Sequence, residues 1–125
     1  MEIINTPIKD LVVIKPKVFA DARGFFFETY NEERYREAGI TQKFVQDNMS
    51  KSSYGVVRGL HFQKPPYSQA KLVQVIEGAV LDVAVDLRSN SETYGQWYAV
   101  ELTAENHLQF LIPRGFAHGF AVLSE

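Results

Sequence analysis

Short stretches of alternating apolar and polar residues dominate this chain, and side chains that alternate with period two belong to strands with one covered face. Leu11 to Ile14 is an apolar run closed by Lys15 and Pro16, which suits a strand with a proline-marked end. Asp21 to Gly24 reads as a turn. Gly24 to Tyr30 follows as a strand with Phe25, Phe27 and Thr29 on one face and Phe26, Glu28 and Tyr30 on the other. Both faces are apolar for part of its length, so this strand is expected to be covered on both sides, by another subunit if not by its own chain.

One helix interrupts the strands. Asn31 is placed to cap it, Glu32 and Glu33 suit the positive end of its dipole, and Gly39 suits its stop. The helix charges form a solvated face. Strands are then expected at Phe44 to Ser50, Gly55 to Gln63, Ala70 to Glu77, Ala79 to Leu87, Gln96 to Leu102, Leu108 to Ile112 and Phe116 to Leu123. In Phe44 to Ser50 the polar Gln46 and Asn48 share a face that could line a barrel interior. In Ala79 to Leu87 one face carries Leu81, Val83, Val85 and Leu87, and the other Val80, Asp82, Ala84 and Asp86. Prolines mark Lys64 to Ser68 as a loop. Many short strands, frequent turns and one small helix predict an all-β fold, a sandwich or barrel of the jelly-roll kind, over a single domain spanning 1–125.

Composition narrows the class. With 46% hydrophobic and 22% charged residues the chain is globular, and its net charge of −2 excludes general attraction to nucleic acid. There is no cysteine, hence neither a disulfide framework nor a thiolate metal site. No apolar stretch reaches about 18 residues and no basic segment precedes an apolar run at the N-terminus. A cytoplasmic protein with no membrane partner is expected.

The candidate chemistry lies where ionisable groups interrupt apolar strands: Arg58, His61 and Lys71, with His118 far along the chain. Alone, each histidine could be structural. Converging on one pocket they form a catalytic set. Arg58 and His61 would face opposite ways in an unbroken strand, but Gly59 between them tolerates a bulge that would bring both to one face, or else marks a close-packing site. His107, beside Glu105 and Asn106, reads as a surface residue.

Gly55-x5-His61 and Pro113-x-Gly115-x2-His118 resemble the two motifs of the cupins. Gln63 stands where that pattern has its second histidine. Lys71 stands in place of its glutamate, ten residues past His61. Two histidines, an amide and an ammonium make a poor divalent site, so no metal or other cofactor is expected.

More closely, Phe19 to Glu28, Phe44 to Ser50, Gly55 to Gln63, Gln69 to Val73, Asp82 to Arg88, Thr93 to Gly95 and Pro113 to Phe120 resemble the dTDP-4-dehydrorhamnose 3,5-epimerase family of metal-free, cupin-like enzymes. That resemblance implies a dTDP-sugar substrate, dTDP-4-dehydro-6-deoxy-D-glucose, whose C4 ketone acidifies the hydrogens at C3 and C5. It implies His61 as general base and Lys71 as the cation that stabilises the enolate. Arg23 and Arg58 would hold the pyrophosphate. Phe19 and Glu28 would contact the nucleotide, Gln46 and Asn48 would line the sugar pocket, and His118 would pair with Asp82. The resemblance further implies a homodimer with exchanged N-terminal strands. The family's proton-returning tyrosine and base-orienting aspartate belong past the segment ending at Glu125, so neither is at its matching place here and a shortened chain is expected. Competing readings are a single-carbon epimerase or ketoisomerase of the same fold and a non-catalytic sugar-nucleotide binder. A metal-dependent cupin oxygenase is the weakest, because Gln63 and Lys71 replace ligands.

Overall fold

The computed structural model describes residues 1–64 and 68–125. Pro65 to Tyr67, in the segment read as a proline-marked loop, lie outside the described residues. Four strands form one antiparallel sheet in the order β1 (Glu2–Asn5), β2 (Val12–Lys15), β9 (Gln109–Ile112) and β6 (Lys71–Gln74). Four more form the second, in the order β5 (Val57–His61), β10 (Phe116–Val122), β7 (Ala79–Asp86) and β8 (Trp97–Thr103). The two stacked sheets are the jelly roll that the strand pattern predicts. A separate hairpin pairs β3 (Phe19–Asp21) with β4 (Gly24–Phe26) around the expected turn.

The core between the sheets is built from Ile8, Leu11, Val13, Phe110 and Ile112 on one side and Ala84, Leu102 and Phe116 on the other. A second apolar layer covers the outer face of the first sheet. There Val12, Ile14 and Leu111 meet Tyr35 of the helix and Ile40 just after it. The helix, α1 (Glu32–Glu37), starts at Asn31, whose side chain accepts from the Arg34 backbone N–H at 2.9 Å. It ends in a Schellman turn, with Ile40 N–H donating to Tyr35 C=O at 2.8 Å and Gly39 N–H to Arg36 C=O at 3.0 Å. Gly39 has φ +96°, which suits glycine at that position.

Several expectations are corrected. Phe44 to Ser50 forms no strand: Phe44 packs edge-on against Tyr30, while Val45 and Met49 are exposed, so the segment has no apolar face to bury. Gln46 and Asn48 touch one another at 3.3 Å but are exposed and line no enclosed barrel. The strand expected over Gly24 to Tyr30 stops at Phe26. Beyond it the Thr29 carbonyl is taken by side chains, accepting from Tyr35 Oη at 2.9 Å and Gln109 Nε2 at 2.7 Å. β4 stays exposed on both faces within the chain, although the Phe25 ring meets His107 and Phe27. His107 is half-buried, stacked on Phe25 and Phe27, instead of lying free on the surface.

The orientation of β7 runs against hydropathy. Asp82, Ala84 and Asp86 point inward and are buried, while Leu81, Val83 and Val85 point outward. An apolar outer face joins Leu81 to Val57 and Trp97, all exposed. The inward aspartates are possible only because each finds a partner.

Candidate active site

The polar end of the sandwich is assembled by strand register. His61 lies directly opposite His118 between β5 and β10, and Arg58 lies opposite Phe120. Two residues lie between Arg58 and His61 but only one between His118 and Phe120, so β5 carries the bulge that Gly59 permits. Opposed residues of an antiparallel pair share a face, which brings Arg58 and His61 to the same side as His118. The alternative reading of Gly59 holds as well. A Cβ there would lie 2.5 Å from the Gly119 Cα, and one at Gly119 would lie 2.7 Å from the Arg58 carbonyl oxygen. Two glycines let the backbones meet at the bulge.

His118 sits opposite Ala84 of β7, one inward position from Asp82. Its Nε2 lies 2.7 Å from Asp82 Oδ1, the expected pair. Asp82 is fully buried, and its Oδ2 has no hydrogen-bond partner among the described residues. Burial pushes this carboxyl above its ordinary range, and the hydrogen bond from His118, the charge of His118 and the charge of Lys71 offset that only in part. Lys71 comes from the facing sheet. It is paired with Ile112 and shares the inward face with Val73, opposite Phe110. Strand register thus places two imidazoles, a buried carboxylate and an ammonium from both sheets at one end of the sandwich, with His61 exposed and His118 and Lys71 half-buried.

The remaining expected residues are arranged differently. Arg58 is exposed and its Nε donates to Ser52 Oγ at 3.1 Å, a partner that no sequence pattern marks. Phe19 and Arg23 stand on the β3–β4 hairpin, where they border a shallow concavity with Phe25 and Phe26. Arg23 is held by Asp21 at 2.6 Å and projects into solvent. Glu28 accepts from Asn31 Nδ2 at 2.9 Å and pairs with Arg34 at the start of the helix. The hairpin residues are thus not gathered around His61 by strand pairing within one chain. Gln63 follows the end of β5. Among the described residues no three His, Cys, Asp or Glu side chains cluster as metal ligands.

This arrangement can take a proton from carbon beside a carbonyl: an imidazole supplies the base and an ammonium in a partly dry site stabilises the enolate oxygen. Comparison with known proteins points the same way. The family model for dTDP-4-dehydrorhamnose 3,5-epimerase matches residues 5–125. A dTDP-4-dehydrorhamnose 3,5-epimerase from Shigella flexneri is 55% identical over 126 aligned residues, which cover 100% of this chain and 70% of the relative. The crystal structure of the corresponding Elizabethkingia anophelis protein superposes with a TM-score of 0.93 at 62% identity, covering 100% of this chain and 69% of that one. A Legionella pneumophila 3,5-epimerase, solved in complex with dTDP-4-keto-L-rhamnose, gives 0.93 at 56%, covering 98% of this chain and 65% of that one. With motif, register and fold in agreement, the chain belongs to the dTDP-4-dehydrorhamnose 3,5-epimerase family.

Proposed function

We propose that this protein epimerises dTDP-4-dehydro-6-deoxy-D-glucose at C3 and C5, giving dTDP-4-dehydro-L-rhamnose for deoxysugar biosynthesis. The observation that carries the reading is the meeting of His61 with His118 across β5 and β10, with Lys71 on the facing sheet. His61 removes the proton beside the C4 ketone and Lys71 stabilises the enolate oxygen. A second acid delivers a proton to the opposite face, which inverts the carbon, and the proton taken by His61 passes to solvent. His118, fixed by Asp82 at 2.7 Å, lines the sugar end of the pocket. Arg58, on the same face, and Arg23, on the hairpin, bind the pyrophosphate as charge-assisted donors. Phe19 and Glu28 contact the nucleotide, and Gln46 and Asn48 the sugar. No cofactor takes part.

The active unit in this reading is a homodimer in the cytoplasm. The exposed Phe19, Phe25 and Phe26 of the hairpin, and the outward Val57, Leu81 and Trp97, support it, since exposed apolar faces of this kind are usually covered. Sedimentation at micromolar concentration should give a dimer, and a well-behaved monomer would contradict it.

Extended to the length of its relatives, the protein incubated with the 4-keto sugar nucleotide in deuterated water should incorporate deuterium at both C3 and C5. Lys71→Met should slow exchange about 10²- to 10³-fold, the effect of a lost oxyanion donor. Deuterium at one carbon only would instead make it a single-carbon epimerase.

A further inference from the structure

The β3–β4 hairpin carries Phe19 and Arg23 but belongs to neither four-stranded sheet, so within one chain no sheet pairing sets its angle. Phe25 and Phe27, on one side of the emerging chain, supply the contact. Their rings lie 4.5 Å and 4.9 Å from the His107 imidazole, each inclined at 52°, and 6.0 Å from one another. Three rings in mutual contact are a directional clamp.

His107 is itself held rigidly. It sits at φ +56° in the turn between β8 and β9, a left-handed conformation that histidine tolerates better than most residues. Asn106 staples that turn. Its Oδ1 accepts from the Thr103 and Leu108 backbone N–H groups at 3.1 and 3.0 Å, its Nδ2 donates to the Glu101 carbonyl at 2.9 Å, and its N–H donates to Thr103 Oγ1 at 2.8 Å. A fixed turn therefore presents a fixed ring.

We propose that His107 is a positioning residue, a latch that sets the angle of the β3–β4 hairpin through Phe25 and Phe27 and so places Phe19 and Arg23 for the nucleotide. The positioning role rests on the functional reading above. The latch itself does not.

The test uses His107→Asn, which keeps a residue suited to the left-handed conformation but removes the ring, and His107→Phe, which keeps a ring. Trypsin cleavage after Arg23 reads the freedom of the hairpin, and titration with dTDP reads the nucleotide site. His107→Asn should be cut faster at Arg23 and bind dTDP about tenfold more weakly, the order expected from losing such aromatic contacts. Its melting temperature should stay near that of wild type, and His107→Phe should restore both readouts. Unchanged cleavage at Arg23 in His107→Asn would overturn the latch. Faster cleavage with unchanged dTDP affinity would overturn the positioning role alone. Failure of the wild-type protein to bind dTDP would overturn the functional reading, and the positioning role with it, while cleavage still decides the latch.

Discussion

Asp82 and Asp86 stand on the same strand and the same inward face, both fully buried, yet they are treated in opposite ways. Asp86 is saturated. It accepts from the Arg88 backbone N–H, Nε and Nη2 at 3.0, 3.0 and 3.1 Å, and from the Ser91 and Thr93 hydroxyls at 2.6 Å each. Burial alone would raise this carboxyl, but these donors together hold it well below the usual carboxylate range. Asp82 has His118 on one oxygen and, among the described residues, no hydrogen-bond partner on the other, and burial keeps its carboxyl raised. One aspartate closes the fold and the other is left poised. A carboxylate kept short of partners beside an imidazole is a feature of sites that handle protons, whereas a saturated one is a structural joint.

Breaking the joint should have the largest effect on the fold. Arg88 also donates to Asp10 at 3.0 Å and to the Lys9 carbonyl at 3.0 Å, so it ties the N-terminal turn to the end of β7. Arg88→Met removes both guanidinium donors and leaves Asp86 buried with the two hydroxyls and the backbone N–H of position 88. It should cost about 3 kcal/mol, the low end for removing one partner of a buried ion pair, and lower the melting temperature by about 10 °C. An unchanged melting temperature would place the weight of this end elsewhere.

The same kind of change at the other aspartate should hardly touch stability. Asp82→Asn removes a costly buried charge yet keeps an acceptor for His118, so stability should stay within about 1 kcal/mol of wild type. Its signature is in the pH dependence. The raised Asp82 carboxyl contributes stability that is full below the unfolded carboxylate value of about 3.9 and is lost as pH rises through the folded value. Asp86, being lowered, contributes in the reverse sense: its stability is present above about 3.9 and lost as pH falls through its folded value. Melting curves across this range should therefore show wild type gaining on Asp82→Asn as the pH falls. Parallel profiles would erase the contrast between the two aspartates.

Much of this was readable in advance because strand alternation and turn chemistry are local. The helix from Asn31 to Gly39 follows from its cap and its glycine, and the bulge at Gly59 follows from asking how Arg58 and His61 could share a face. The pairing of His118 with Asp82 came from resemblance, and the geometry bears it out. What local pattern does not carry is which face of a two-faced strand turns inward. In β7 the aliphatic face of Leu81, Val83 and Val85 competes with one bearing two acids, and the acids go inside because Arg88, Ser91, Thr93 and His118 are waiting there. Those partners lie up to 36 residues away in sequence, beyond the reach of periodicity. The strand expected over Phe44 to Ser50 failed for the complementary reason. Alternation was present, but no apolar face and no partner strand was. His107 carried no sign of its contacts, which depend on where the hairpin lands.

If His61 is the base at this end of the sandwich, exchange of the substrate's carbon-bound hydrogens depends on its imidazole. In a protein extended to the length of its relatives, deuterium incorporation at C3 and C5 of the 4-keto sugar nucleotide is compared between wild type and His61→Asn, with dTDP affinity measured alongside. Exchange should fall about 10²- to 10⁴-fold, as for loss of a general base, while dTDP affinity is retained, since the diphosphate ligands proposed above are Arg23 and Arg58 and not His61. Exchange at the wild-type rate by His61→Asn would contradict the claim and move the base to another residue.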